Sequence, residues 1–195
     1  MKTYDQLCQL SPLTDKDHFF REPIEQYTAG WQRKWFENFG GYADKYKVAF
    51  YRLSNVIRDN TYNKDQLAYP IIFLARHVLE LRLKELNYLC MQLKLFAGTK
   101  PTHSLLSLWK SFDEVYPREK NGYYFKVGDL ITELHHVDSH SDTFRYPIRK
   151  DGTQTATSEF VDIDNFVSVF LKVDRILMGL EDELNQVSDE LSNIY

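Results

Sequence analysis

Residues 69–96 read YPIIFLARHVLELRLKELNYLCMQLKLF, and their reading decides the fold. No glycine occurs in the stretch, and no proline after Pro70. Pro70 stands where a helix can begin, and Gly98 and Pro101 follow as stop signals, so the spacing predicts one long helix. At about 100° per residue, Leu74, Val78, Leu81, Leu86, Leu89 and Leu93, with Ile72, Leu79, Leu83 and Cys90, cover most of the circumference. That is the pattern of a central helix packed on several sides. One arc is polar: it holds His77, Glu80 and Lys84 within about 60° of one another, flanked by Arg76, Asn87 and Lys94, with Phe73 and Met91 inside it.

Outward from this helix the chain reads as helices and loops. Residues 1–18 show no clean period and read as an irregular arm or a short helical turn. From Phe19, the positions Phe20, Ile24, Tyr27, Trp31, Trp35 and Phe39 recur at steps of three or four, with Pro23 near the start and Gly40-Gly41 at the end of the expected helix. A second helix is expected from about Tyr42 to Arg58. Beyond the central helix, Thr102 is the expected cap of a helix carrying Leu105, Leu108, Trp109 and Phe112 up to Pro117. A further helix is expected from about Val127 to Asp142, with Asp138 and Ser141 on its buried face and Arg145 joining them if the helix continued. A small hairpin is expected around Asp151-Gly152. From Asp162 onward Ile163, Phe166, Phe170, Val173, Leu177, Leu180, Leu184, Val187, Leu191 and Ile194 occupy every a and d position of a heptad. Such a helix, approaching about 50 Å, is expected to pack partly on the bundle and partly on another chain, although an entirely intrachain bundle helix has the same pattern. The expected architecture is one all-α domain: an up-down four-helix core, extra N-terminal helices and a long C-terminal heptad helix.

Composition narrows the function classes. The 195 residues suit one domain, and the 43% hydrophobic and 27% charged content exclude a chain disordered throughout. A net charge of −4 means that nucleic-acid binding would need a local basic patch rather than the overall field. Cys8 and Cys90 are the only cysteines, so a disulfide framework is not expected and a reducing cytoplasm fits. The N-terminal residues lack an apolar core of signal-peptide length, and no run of about 18 apolar residues occurs, so neither export by that route nor a membrane span is expected.

The ionisable residues that a bundle could gather are His77, Glu80, Lys84, His103, Asp138 and Arg145. Burying Asp138 or Arg145 alone would be costly, whereas a paired cluster tolerates burial and could bind phosphate through Arg145 and Lys84 with a histidine as acid or base. The same residues also read as a solvated Glu80–Lys84 pair, a His103 cap contribution and an Asp138–Arg145 brace. His135, His136, Asp138 and His140 crowd together, and His136 with His140 has the i,i+4 spacing of two metal ligands. No HExxH motif accompanies them, and surface histidines are the simpler reading. No P-loop, GxGxxG, GxSxG or CxxC motif is present. Phe144, Arg145, Tyr146, Arg149 and Lys150 form a small basic and aromatic patch that could pair phosphates and stack bases, although an ordinary solvated loop is the simpler reading.

In order, YPIIFLARHVLELRLKEL, THSLLSLW and LHHVDSHSDTFRYP resemble the HEPN superfamily of prokaryotic helical domains. There a helix with an acidic residue followed by Lys precedes a short His-Leu motif and a later Arg-Tyr-Pro segment. The resemblance runs from about Tyr69 to Pro147, continues loosely into the last helix, and sets a core of about residues 42–195. It implies an all-α bundle, commonly a homodimer, in toxin–antitoxin, abortive-infection and other defence settings. Some members are metal-independent endoribonucleases; others bind nucleotides or partners. Glu80, Lys84, His103, Arg145 and Tyr146 are the matching positions. The Arg-x4–6-His pair of the nuclease members is absent, since His77 directly follows Arg76, and Lys150, Asp151 and Gly152 stand where a histidine would follow Arg145. The expectation is a non-catalytic or regulatory module that forms a homodimer through its C-terminal helix and binds a nucleotide, nucleic acid or protein partner. The alternative is a divergent metal-independent endoribonuclease using Arg145 with His77 or His103. A metal-dependent hydrolase using His136 and His140 is a third reading; no cofactor is expected.

Overall fold

The computed structural model describes residues 38–59, 61–98, 100–116, 122–149, 151–155 and 160–192. The expected N-terminal arm and first helix lie outside the described residues. Five helices follow one another: α1 (Phe39–Asp59), α2 (Lys64–Gln92), α3 (Leu105–Val115), α4 (Gly122–Val137) and α5 (Ile163–Ser192), with a 3-10 turn at Thr61–Asn63. The fold is all-α; among the described residues the only extended pairing is an antiparallel bridge between Ile148 and Gln154, closing the turn expected at Asp151-Gly152. Gly152 takes φ +84°, a left-handed conformation open to glycine without a Cβ penalty.

Helix α2 is central, as its nearly continuous apolar circumference predicts. Helices α1, α3 and α5 pack on it, and α4 packs on α3. Leu83 and Leu86 are wholly buried against a core that includes Phe50, Phe112 and Leu177, each such side chain contributing roughly 1.5–3 kcal/mol. Phe50 and Phe170 meet with ring centroids 4.3 Å apart. No helix among the described residues is long and apolar enough to cross a membrane.

The helix ends differ from expectation wherever backbone hydrogen bonding sets them. Helix α2 begins at Lys64 and runs through Pro70. The Gln66 carbonyl loses the bond a proline nitrogen cannot donate, at an exposed turn where water can replace it. Its stop is Lys94 rather than Gly98: Lys94 takes φ 59°, Leu95 N–H donates to Cys90 O at 3.0 Å and Lys94 N–H to Met91 O at 3.0 Å, a Schellman motif. Gly40 and Gly41 do not end a helix; they lie in the first turn of α1. A Cβ on Gly40 would fall 2.4 Å from the Glu181 carboxylate, so the small residue admits α5 there. Ser104, not Thr102, caps α3, accepting from Ser107 N–H at 3.2 Å. Helix α4 ends at Val137 rather than Asp142, because the Asp138 carboxylate turns to the N–H groups of Asp142 and Thr143 (2.8 and 3.0 Å).

In α5 the seam is buried from Phe170 to Leu184, whereas Val187 and Leu191, which continue the heptad, are exposed. Ile194 lies outside the described residues.

Candidate functional site

The polar arc of α2 is organised around Arg76, which sequence reading treats only as a flank. Its guanidinium is buried and joins three elements. Nη1 donates to Glu80 Oε2 at 2.9 Å, Nε faces Asp138 Oδ2 at 3.0 Å, and Nη2 donates to the His103 carbonyl at 2.7 Å. Glu80 Oε1 in turn accepts from Lys84 Nζ at 2.7 Å and bonds His103 Nδ1 at 2.8 Å. Each carboxylate oxygen of Glu80 and Asp138 is thereby satisfied, which is what lets a buried ion cluster persist.

The Glu80 side chain is 2% exposed and that of His103 is 75% exposed, so the hydrogen bond between them carries a buried anion to the surface. With an acceptor at Nδ1, the imidazole holds its proton on that nitrogen and leaves Nε2 free. Burial works to raise the Glu80 pKa, but hydrogen bonds from Lys84, His103 and Arg76 prevail and the net shift is downward. Glu80 therefore stays an anion.

Asp138 is buried as the helical wheel predicts, but its partner is Arg76 and not Arg145. Arg145 lies beyond the end of α4 and is exposed. Its guanidinium rests over the Phe73 ring at 6.0 Å and the Tyr146 ring at 5.4 Å, and it makes no ion pair among the described residues. His77 stands between these groups and the Glu80 cluster, stacked on Phe73 at 5.9 Å and edge-on to Tyr46 at 4.4 Å. Burial lowers its pKa, against the pull of Glu80 and with further lowering by Lys84, Arg76 and Arg145. Neither the solvated Glu80–Lys84 pair nor the His103 cap is what forms: the pair lies largely inside, and Ser104 is the cap.

A cleft of about 360 Å³ opens beside this cluster, lined by Phe39, Lys84, Tyr88, Met91, Lys100 and His103. Lys84 Nζ lies 5.9 Å over the Phe39 ring. Asn87 also lines the cleft; its Nδ2 donates to the carbonyls of Leu83 and Leu108 at 2.7 and 2.9 Å. Thus six sequence-chosen residues fall into two neighbouring groups. Glu80, Lys84, His103 and Asp138 meet at Arg76; Arg145 and His77 meet at Phe73, with Tyr146 beside them.

The histidine cluster does not assemble. Helix α4 ends before His140, so His136 and His140 lose their i,i+4 relation; His140 Nδ1 bonds Ser139 Oγ at 2.9 Å, and the His135 and His136 rings lie 6.0 Å apart.

A second buried ion network, unanticipated from sequence, sits on another face of α2. Arg82 reaches Asp174 Oδ1 at 3.1 Å, Glu181 Oε2 at 3.2 Å, and Asp44, while Lys47 pairs with the other oxygen of Asp174. Glu85 beside it accepts from Asn38 Nδ2 and Gly40 N–H, both at 3.2 Å. No family model, curated protein or solved structure matches this chain.

Proposed function

We propose that the protein is a HEPN-like binding module that takes single-stranded nucleic acid or a nucleotide along the polar face of α2. The carrying observation is the row Tyr146–Arg145–Phe73–His77–Tyr46, continued by Lys84, His103 and Phe39, in which aromatic and imidazole rings are punctuated by the cations Arg145 and Lys84. Phe73 and Lys84 are separated by about 16 Å along the helix, room for several bases stacked at about 3.4 Å. Aromatic faces stack bases without regard to sequence, and Arg145, which has no ion pair among the described residues, can meet a phosphate. In an acidic chain this row is the local basic patch that such binding needs. The exposed Val187 and Leu191 beyond the buried seam support a homodimer through α5. A prokaryotic defence or toxin–antitoxin setting follows from the sequence resemblance alone, and a reducing cytoplasm from the sparse cysteines.

A second reading is favoured by one observation, the Glu80–His103 hydrogen bond. A buried carboxylate that orients an exposed imidazole leaves Nε2 able to take a proton from a ribose 2′-hydroxyl, as in metal-independent RNA cleavage. On this reading Lys84, which shares Glu80 with His103, faces the phosphate. Arg145, about two helical turns away, binds the strand.

One experiment tests both. Binding of a labelled single-stranded RNA is followed by fluorescence anisotropy and its cleavage by gel, in excess chelator. Arg145→Ala is expected to weaken binding roughly tenfold, the value of about one stacked base. Absence of binding by the wild type sinks the module reading. Cleavage that His103→Ala abolishes while binding persists would bring the nuclease reading forward.

A further inference from the structure

We propose that the gap between α2, α4 and α5 is a binding site for a neutral apolar small molecule. The cavity measures about 300 Å³, twice the roughly 150 Å³ of an engineered Leu/Ile/Phe-lined cavity that stays dry and takes benzene. The gap is a partly open apolar concavity between packed helices, and its size falls at the lower end of the roughly 300–1,000 Å³ that small-molecule sites take.

Its origin lies in how α4 is held. The Trp109 indole presses on Gly128, where a Cβ would fall 2.8 Å from Nε1, and the Trp109 and Tyr124 rings lie 5.1 Å apart. The glycine lets α4 settle tightly on α3, and the space on its other side remains open. Ile131 and Leu134 of α4 face Ile72 and Leu79 of α2 and Phe170 and Val173 of α5 across it.

The chemistry of the occupant follows from the walls. Among the described residues Glu133 is the only charged one lining the cavity, and it is exposed, while Tyr69, Phe160 and Val161 form an exposed rim beside it. Among these lining residues no cation meets a carboxylate or phosphate, and Glu133 would repel one. The site therefore selects two-ring aromatics and medium-chain alcohols over fatty-acid anions, and it differs in kind from the lysine-bearing cleft beside Glu80.

The test uses the full chain and the neutral fluorophore N-phenyl-1-naphthylamine, whose emission rises in apolar surroundings. Wild-type protein is expected to give a saturable rise, displaced by decanol but not by equal decanoate. Val173→Phe and Leu134→Phe, which fill the cavity, should each weaken binding by about tenfold or more, since the filled volume is what holds the ligand's apolar surface. Val48→Ala, on the exposed face of α1, should leave it unchanged. Circular dichroism checks that the filled variants fold. Should they not, the wild type alone decides: decanol raises its Tm and decanoate does not. The proposal is overturned by the absence of a saturable rise, by equal effects of the two competitors, by undiminished binding in folded filled variants, or by loss of binding in Val48→Ala.

Discussion

Arg76 and Arg82 stand six positions apart on α2, both buried, both bonded to carboxylates, yet one belongs to the proposed site and the other to a brace. The Arg82 network is closed on its helix-facing side: its partners come from the long helices α1 and α5, the deepest of them, Asp174, has a side chain with no exposure at all, and Asp44 alone is largely exposed. The Arg76 network is open. Through Glu80 it reaches Lys84 and the exposed His103, and it borders a cleft with aromatic walls. Both networks reach solvent at one member, Asp44 and His103; what sets the Arg76 network apart is that its outer members Lys84 and His103 line a cleft.

The largest expected effect is at the brace. Arg82→Met keeps the aliphatic stem but leaves Asp174 with Lys47 alone, and removal of one partner from a buried pair costs about 3–5 kcal/mol. Urea denaturation at pH 7 should show that loss, with RNA binding by the remaining folded protein unaltered. A loss below about 1 kcal/mol, typical of exposed pairs, would mean that the network is effectively solvated and the contrast with Arg76 false.

Acid separates the two regions by the sign of its effect. On the Arg76 side, burial holds the His77 pKa below its ordinary 6.5. The folded state then binds fewer protons than the unfolded one, so stability from His77 is full above pH 6.5 and falls as pH drops toward the folded pKa. On the Arg82 side, burial raises the Glu181 pKa above its ordinary 4.5, opposed by Arg82 and aided by Glu85 and Asp44. Its contribution is full below pH 4.5 and is lost as pH rises through the folded pKa. Each pKa unit of displacement corresponds to about 1.4 kcal/mol. Denaturation across pH 4–8 should show a shallower acid slope below 6.5 in His77→Gln, with the remainder carried by His135, whose pKa burial also lowers, and a shallower decline above 4.5 in Glu181→Gln. Unchanged slopes in either variant would assign that slope elsewhere.

Sequence reading reached the fold through periodicity. The Leu-rich circumference of α2 and the heptads of α5 mark packing that hydrophobic burial alone determines. It missed where hydrogen bonds decide, as at Lys94, Ser104 and Asp138. The wheel also found Glu80 and Lys84, because an arc of charge on an apolar helix is visible locally. It passed over both arginines, since their partners lie far along the chain: Asp174 is 92 residues from Arg82. A trace was present nonetheless. Asp174 and Glu181 are one heptad apart, immediately beside the α5 seam, where charged residues of a packed helix meet a partner helix. Arg82 and Glu85 interrupt the apolar faces of α2, and opposite charges on two such helices are a pairing signal.

The smallest effect sharpens what makes the brace closed. Asp44 also pairs with Arg82, but its side chain is 60% exposed, against none for Asp174. Water already solvates most of its carboxylate, so the pair gains little from Coulomb attraction and that little is screened by salt. Arg82 would keep Asp174 and Glu181, so no charge is stranded when Asp44 is removed. Asp44→Ala is thus expected to cost no more than about 1 kcal/mol at low salt and less at high salt. Paired urea titrations at the two ionic strengths measure both quantities. A salt-independent loss as large as that of Arg82→Met would show that the network depends on its solvent-facing member, and the division into a closed brace and an open site would then fail at the brace.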